Sequence, residues 1–217
     1  MNSVPSSHSV PSHAGISRLL PRVAWVIVLS VAAFFLATRV PRYLVLTEQS
    51  YGPYFWPRSS WVLPHVLGGL LAIMIGPLQF WSKIRRDHIQ VHRWSGRVYL
   101  AGVVVGGLAS FGLAATSQVT LTYAAGLAGL GVAWLTTAGM ALAAVLHRNF
   151  ALHRQWMIRS YVVTMAFVTF RVVEDFLEAK GIGTKLDRLT LMSWACWAVP
   201  LLFTEVAFQA KAVFSRR

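Results

Sequence analysis

The sequence predicts an all-α fold, a polytopic membrane bundle of about six transmembrane helices. Of the 217 residues, 56% are hydrophobic and only 12% are charged, which is about half the charged fraction of an ordinary soluble domain. The apolar residues come in runs of roughly 20, the length of a helix that crosses a bilayer. Lys and Arg, which give a formal net charge of +13, stand at the ends of these runs, as in membrane proteins. This placement argues against nucleic acid as a partner.

The chain divides into a short tail and one transmembrane domain. Residues 1–20 are rich in Ser, Pro and His without a periodic pattern, which predicts a disordered cytoplasmic tail. Residues 21–217 form the predicted domain. Its spans are predicted at about 22–40, 61–82, 95–116, 122–146, 156–177 and 190–213. The segment 41–60 between the first two spans holds five aromatic residues and three prolines, and we expect an interfacial loop with an aromatic belt there.

The distribution of basic residues predicts the orientation of these spans. If the amino terminus lies in the cytoplasm, the inner segments hold thirteen Lys and Arg residues and the outer segments hold six, while Arg171 falls inside the fifth span. Because cytoplasmic loops carry the excess of basic residues, both termini are predicted to be cytoplasmic.

A motif that occurs twice is the main functional signal. Residues 92–99 read His-Arg-Trp-Ser-Gly-Arg-Val-Tyr, and residues 153–161 read His-Arg-Gln-Trp-Met-Ile-Arg-Ser-Tyr. Each copy begins the second helix of a predicted two-helix hairpin, and both lie on the predicted inner side. This pattern indicates an internal repeat of two helical hairpins, an arrangement that places ligand sites between the repeats in other membrane proteins.

The two copies define an inner cluster of basic and aromatic residues. Its members are Gln79, His92, Arg93, Arg97, Tyr99, His153, Arg154, Arg159 and Tyr161. One interpretation is interfacial anchoring with contact to lipid phosphates, for which arginine is well suited. A second is axial ligation of a b-type haem iron by His92 and His153. A third is a site for an anionic or quinone-like ligand. The sequence leaves all three open.

Charged residues inside the spans form the second functional signal, because such residues are costly in hydrocarbon and need a partner. His65, Arg171 and Glu174 define an outer cluster, which is interpreted either as a polar pocket or as a simple pairing of Arg171 with Glu174 or Asp175. Glu205 is interpreted as the partner of Arg159 or as a proton-relay carboxylate.

A stripe of small residues on the second span predicts close helix packing or a groove for a flat ligand. The residues at alternating spacings of four and three are His65, Gly69, Ala72, Gly76 and Gln79, and this spacing places them on one helical face.

The order of these motifs resembles a known family. His65 with Gly68-Gly69, the segment 76–80 (Gly-Pro-Leu-Gln-Phe), both His-Arg motifs and Arg171 look like the bacterial predicted membrane proteins grouped as domain of unknown function 2306. The resemblance covers about residues 60–175. It implies a multi-pass protein of the bacterial inner membrane, and it brings no reaction, cofactor or substrate.

The functional expectation is a non-enzymatic integral membrane protein. It would bind a small ligand or lipid between the repeated hairpins or serve as a subunit of a larger membrane complex. The alternative is a haem-b electron-transfer protein, and a third candidate is a proton-coupled transporter that uses Glu205 and His65. The catalytic motifs of nucleotide loops, metalloprotease helices and nucleophile elbows do not occur in the sequence, which disfavours an enzyme.

Overall fold

A computed structural model describes residues 13–214 of the chain, with side chains described from Val23 onwards. The described part is all-α, as predicted. Its helices are α1 (His13–Arg39), α2 (Pro41–Leu44), α3 (Glu48–Phe55), a 3-10 turn (Trp56–Arg58), α4 (Ser59–Phe80), α5 (Ser82–Asp87), α6 (Ile89–Ala115), α7 (Leu121–Leu146), α8 (Phe150–Thr164), α9 (Ala166–Ala179) and α10 (Lys185–Phe214).

Five helical segments are long and apolar enough to cross a membrane. They are α3 with α4 (Glu48–Phe80), α6, α7, α8 with α9 (Phe150–Ala179), and α10. The apolar part of α1 that has described side chains, Val23–Arg39, is shorter. The protein is therefore a polytopic membrane helix bundle.

The bundle is built from two helical hairpins and a flanking helix. The first hairpin pairs α4 with α6 across the short α5, and the second pairs α7 with α8, whose continuation α9 packs mainly against α10. Helices α6 and α7 pack against each other and join the hairpins, while α10 packs against α7, α8 and α9. The two copies of the motif lie near the starts of α6 and α8, the second helix of each hairpin.

Glycines allow the helices of the first hairpin to touch through their backbones. A Cβ atom added to Gly68 of α4 would lie 2.5 Å from both the carbonyl oxygen of Gly102 and the amide nitrogen of Gly106 on α6. In a bilayer, where apolar burial does not drive association, this close backbone approach is what holds helices together.

A buried polar network joins three helices at the centre of the bundle. The hydroxyl of Tyr99 on α6 lies 2.8 Å from Ser160 Oγ and 3.0 Å from Thr164 Oγ1, both on α8. Trp134 Nε1 on α7 donates to the same Thr164 Oγ1 at 2.8 Å. These four side chains are almost completely buried, so each large aromatic residue has a partner for its polar atom inside the apolar interior.

The segment 41–60 is mostly helical, so the prediction of a loop there is wrong. This segment folds into α2, α3 and the 3-10 turn, with a break at Gly52, whose φ of 73° favours glycine. The hydroxyl of Thr47 caps α3 by accepting a hydrogen bond from the Ser50 amide. Tyr51 is buried and packs edge-to-face on Tyr43 with ring centroids 5.5 Å apart. The aromatic residues therefore pack on one another.

Several helix boundaries also differ from the predicted positions, among them the starts of α6 at Ile89 and α10 at Lys185, which were predicted at 95 and 190. Helix α1 begins at His13, inside the segment predicted to be a disordered tail, and residues 1–12 lie outside the described residues. Helix α8 begins at Phe150, earlier than the predicted start at 156, and the span is interrupted at Met165. Thr164 donates to the Ser160 carbonyl there, a contact that often bends helices.

Candidate functional site

A cavity of about 190 Å³ lies between the two hairpins. Its walls come from α4 and α6 of the first hairpin and from α7 and α9 of the second, and α1, α2, α3 and the 3-10 turn close it. Four arginines line it, so we call it the arginine cavity: Arg39, Arg42, Arg58 and Arg171.

The cavity is basic on one part of its lining and apolar on the rest. Ile73, Leu130 and Phe170 are among the apolar residues, and no acidic residue belongs to the lining. The other polar residues of the lining are Tyr43, Tyr54, Tyr123, His65 and Ser110. A lining of this composition suits a ligand that combines an apolar body with an acceptor group.

Arg58 is held rigidly at the edge of the arginine cavity. Its Nε donates to the Tyr54 carbonyl oxygen at 3.1 Å, and its guanidinium lies 3.7 Å from the centroid of the Tyr54 ring and 5.2 Å from that of Phe55. The residue is only 8% exposed. These contacts fix the orientation of the guanidinium, as a binding site requires.

The structure brings together two of the three residues of the outer cluster. His65 and Arg171 line the same cavity, whereas Glu174 is not part of the lining. The expected pairing of Arg171 with Glu174 or Asp175 is wrong. Within the part of the chain that the structure describes, Glu174 pairs with Arg188, with Nε and Oε1 3.7 Å apart, and Asp175 pairs with Arg39.

The imidazole of His65 is fixed by two contacts. Its Nδ1 lies 3.0 Å from the Gly106 carbonyl oxygen, and its ring packs edge-to-face on Phe167 at 4.8 Å between centroids. Because a carbonyl only accepts hydrogen bonds, Nδ1 carries the proton and Nε2 carries a lone pair in the neutral ring. His65 can thus accept a hydrogen bond or a proton at Nε2.

The residues of the inner cluster are not gathered around one cavity. Tyr99 belongs to the central polar network. Tyr161 packs on Phe80 and Trp25, and its ring lies so close to Gly76 that a Cβ there would approach it to 2.3 Å. These tyrosines therefore serve packing between helices, and neither lines the arginine cavity.

The basic residues of the inner cluster have separate surroundings. Arg93, Arg97 and Arg154 are exposed, with Arg97 stacked on Trp94 at 4.7 Å. Arg159 donates to Glu205 at 2.5 Å, the pairing expected from the sequence. Exposed arginines at a helix end are the arrangement expected for contact with lipid head groups.

The two histidines and Gln79 lie near helix ends: Gln79 at the end of α4, His92 at the start of α6 and His153 at the start of α8. His153 Nδ1 lies 2.8 Å from the Ala141 carbonyl oxygen, so Nδ1 donates and Nε2 keeps its lone pair. His92 is half-buried, its Nδ1 has no partner among the described residues, and it lies within electrostatic range of His153. Gln79 donates to Ser95 Oγ at 2.7 Å and so joins the end of α4 to the start of α6.

Three carboxylates lie close enough together to hold a cation. Glu174, Asp175 and Glu178 offer oxygens within 4.8 Å of one another. Arginines occupy them, however, because Arg188 pairs with Glu174 and Glu178 while Arg39 pairs with Asp175. The group is therefore a network of ion pairs.

The sequence did not identify Arg58, Arg42, Tyr54 and Tyr123 as site residues. The first three stand in the segment that was interpreted as an interfacial belt, where arginine and tyrosine are ordinary. The available signal was the run Tyr-Phe-Trp-Pro-Arg at 54–58, in which an arginine follows three aromatic residues and a proline and precedes an apolar helix.

Comparison with known proteins gives a family and nothing finer. Residues 62–208 match the family model described as predicted membrane protein, DUF2306. This range contains both hairpins and most of α10. No curated protein and no solved structure matches the chain. Because the match covers about two thirds of its length, the chain belongs to the DUF2306 family of predicted membrane proteins.

Proposed function

We propose that this membrane protein binds a small, partly apolar ligand between its two hairpins, in the arginine cavity. The observation that carries the proposal is the combination of about 190 Å³ of space with a lining that is apolar on one part and basic on another. Small-molecule sites are concave and mostly apolar, with a few placed polar groups that fix the ligand's orientation. The lining has this composition, and Arg58 is fixed by its contacts with Tyr54.

Filling the cavity tests this proposal. Gly69 lines the cavity, and a Cβ added there meets one atom, of Phe167, at the ordinary distance of 3.9 Å. Gly69→Leu should therefore occupy the cavity without disturbing the backbone. Gly139→Leu is the matched control, because Gly139 is exposed and a Cβ there meets nothing within 4 Å.

The measurement is native mass spectrometry of the protein released from a neutral detergent. We expect wild type and Gly139→Leu to retain a bound species of defined mass and Gly69→Leu to lose it. The same bound species on all three proteins, or none on wild type purified without delipidation, would contradict a ligand site in the cavity.

We also propose that the protein lies in the bacterial inner membrane with both termini in the cytoplasm. The support is the excess of basic residues in the inner segments, thirteen against six. This orientation would place the arginine cavity in the outer half of the bilayer. Reporter fusions test it: a fluorescent protein at the carboxyl terminus should be bright, and a periplasmic phosphatase there should be inactive.

A second proposal, supported by the geometry of His153, is ligation of a b-type haem by His92 and His153. Histidines that ligate metals commonly donate their other ring nitrogen to a carbonyl, as His153 does to Ala141. The test is a visible spectrum of protein from haem-replete cells, before and after reduction by dithionite. A sharp Soret band that is lost in His92→Ala and His153→Ala would support haem, whereas a colourless, folded preparation would exclude it.

A further inference from the structure

The arginines within the bundle differ in one respect that points to the charge of the ligand. Four of the described arginines are buried or half-buried: Arg58, Arg159, Arg171 and Arg188. Arg159 pairs with Glu205, and Arg188 pairs with Glu174 and Glu178. Arg58 and Arg171 have no carboxylate partner among residues 13–214, and these two are the ones that line the arginine cavity.

The second, independent observation is a pair of buried donors without acceptors. Arg58 is more than nine-tenths buried, yet its Nη2 has no hydrogen-bond partner within the described part of the chain. The hydroxyl of Tyr54, whose ring stacks under the same guanidinium at 3.7 Å, is likewise buried and without a partner. Both side chains line the cavity. A buried donor without an acceptor is costly. Arg159 Nη1 and Arg188 Nε are also buried without a hydrogen-bond partner, but each of those guanidiniums pairs with a carboxylate, whereas Arg58 pairs with none among the described residues.

The energetic argument follows from these two observations. A guanidinium that is buried or half-buried without a carboxylate partner is costly, and Arg58 and Arg171 are two such groups on the lining of one cavity. No carboxylate of the lining offsets this cost. An oxyanion offers several acceptor lone pairs, and its hydrogen bonds to arginine are stronger than those between neutral groups. It would satisfy Arg58 Nη2, Arg171 and the Tyr54 hydroxyl together.

We infer that the arginine cavity binds an anionic amphiphile. Its oxyanion head, a phosphate or a carboxylate, accepts hydrogen bonds from Arg58, Arg171 and the Tyr54 hydroxyl, and its apolar part lies against Ile73, Leu130 and Phe170. This inference rests on the proposed ligand site and adds the ligand's charge and chemical class. The apolar lining distinguishes an amphiphile from a free inorganic anion, for which these residues would offer no contact.

The experiment uses the full chain, delipidated in dodecyl maltoside, a neutral detergent. The probes are dodecyl phosphate, dodecanol and inorganic phosphate, and the readout is the midpoint temperature of unfolding followed by tryptophan fluorescence. A ligand that binds only the folded protein raises this midpoint in a saturable way. We expect a saturable rise with dodecyl phosphate and much smaller rises, at equal concentration, with the other two probes.

The variants are chosen so that charge, hydroxyl and folding effects separate. Arg58→Gln and Arg171→Gln should each weaken the apparent affinity for dodecyl phosphate by about tenfold or more, the effect of losing one charged hydrogen bond. Tyr54→Phe keeps the charge and should weaken it by about threefold to tenfold. Arg148→Gln is the matched control, because Arg148 is exposed, belongs to neither the inner nor the outer cluster, does not line the cavity and should leave the affinity unchanged.

Each contrary result overturns a distinct part of the inference. Equal protection by dodecanol would refute the anionic head, and equal protection by inorganic phosphate would refute the amphiphile. Unchanged affinity in both arginine variants would place dodecyl phosphate elsewhere. In all of these cases, a bound species that wild type retains and Gly69→Leu loses would still support the proposed ligand site. Failure of the anionic amphiphile can thus be distinguished from failure of the ligand site itself.

Discussion

Arg159 forms a two-point ion pair with Glu205, in which Nε and Nη2 both donate to Oε2, at 3.1 and 2.5 Å. The pair joins α8 to α10 across 46 positions of sequence. Its members differ in exposure, since the side chain of Arg159 is 13% exposed and that of Glu205 is 45% exposed. The guanidinium also lies 4.6 Å from the centroid of the Phe208 ring on α10. Without Glu205, water could not readily replace the lost hydrogen bonds of Arg159, whereas Glu205 is exposed enough to be hydrated without Arg159.

This asymmetry predicts unequal costs for removing either partner. Glu205→Leu leaves a nearly buried guanidinium without its acceptor and should cost about 1–2 kcal/mol, less than for a fully buried pair because of the exposed carboxylate. The double variant Arg159→Met with Glu205→Leu should recover part of that loss. Unfolding by sodium dodecyl sulfate, followed by tryptophan fluorescence, measures both. A double variant that is less stable than Glu205→Leu alone would contradict the prediction.

The proton-relay interpretation of Glu205 makes a different prediction. A carboxylate held by Arg159 and by Gln209, at 2.9 Å, is expected to act structurally. We therefore expect equal proton flux in liposomes that contain wild type or Glu205→Gln, measured with a pH-sensitive dye. A flux that is present in wild type and lost in Glu205→Gln would show that the carboxylate carries protons.

Two neighbouring carboxylates near the end of α9, Glu174 and Asp175, test whether burial determines how much an ion pair contributes to stability. Glu174 and Arg188 are both 9% exposed, whereas Asp175 and Arg39 are 42% and 44% exposed. Glu174→Gln should cost about 1–2 kcal/mol, because Glu178 still accepts from Arg188. Asp175→Asn, the neighbouring isosteric change, should stay within about 0.5 kcal/mol. Equal losses of unfolding free energy for Glu174→Gln and Asp175→Asn in the same assay would show that burial does not determine the contribution of these ion pairs.

Neighbouring glycines on α4 allow a test of the backbone contact between α4 and α6. A Cβ at Gly68 would collide with backbone atoms of Gly102 and Gly106 at 2.5 Å, while a Cβ at Gly69 meets only Phe167 at 3.9 Å. Gly68→Ala should therefore cost about 1–3 kcal/mol by separating the helices. Gly69→Ala should change the free energy of unfolding by less than about 1 kcal/mol, since it adds the same methyl group one position away.

The sequence predicted those parts of the structure that depend on composition and on local spacing. Run lengths identified the apolar helices. The stripe of small residues on α4 predicted close helix packing, but its glycines Gly69 and Gly76 face Phe167 and Tyr161 of the second hairpin. The backbone contact with α6 is made by Gly68, which lies outside the stripe. The pairing of Arg159 with Glu205 was also predictable, because both lie at similar depth in spans and buried charges require partners.

The arginine cavity could not be predicted, because it depends on how distant segments fold together. Arg58 and Arg171 are separated by more than one hundred positions, and nothing local indicates that they line one cavity. The preference of Glu174 for Arg188 over Arg171 depends on the turn after α9, which brings α10 back against it. Spacing along one helix favoured Arg171, and tertiary structure overrode it.

Thr164 is the shared acceptor of the central network, and this position predicts which substitution there is most harmful. Its hydroxyl proton goes to the Ser160 carbonyl at 2.9 Å, and its oxygen accepts from Trp134 Nε1 at 2.8 Å. Thr164→Val keeps the shape but leaves the indole N–H buried without an acceptor, a loss of about 1–3 kcal/mol.

Tyr99→Phe is the comparison variant, because it removes one hydroxyl and leaves the indole hydrogen bond of Trp134 intact. It should cost about 0.6 kcal/mol, the average for hydrogen bonds between membrane helices. Measured in the sodium dodecyl sulfate assay, Thr164→Val should thus be clearly the less stable variant. The reverse order would mean that Tyr99, through Ser160, is the residue on which the network depends.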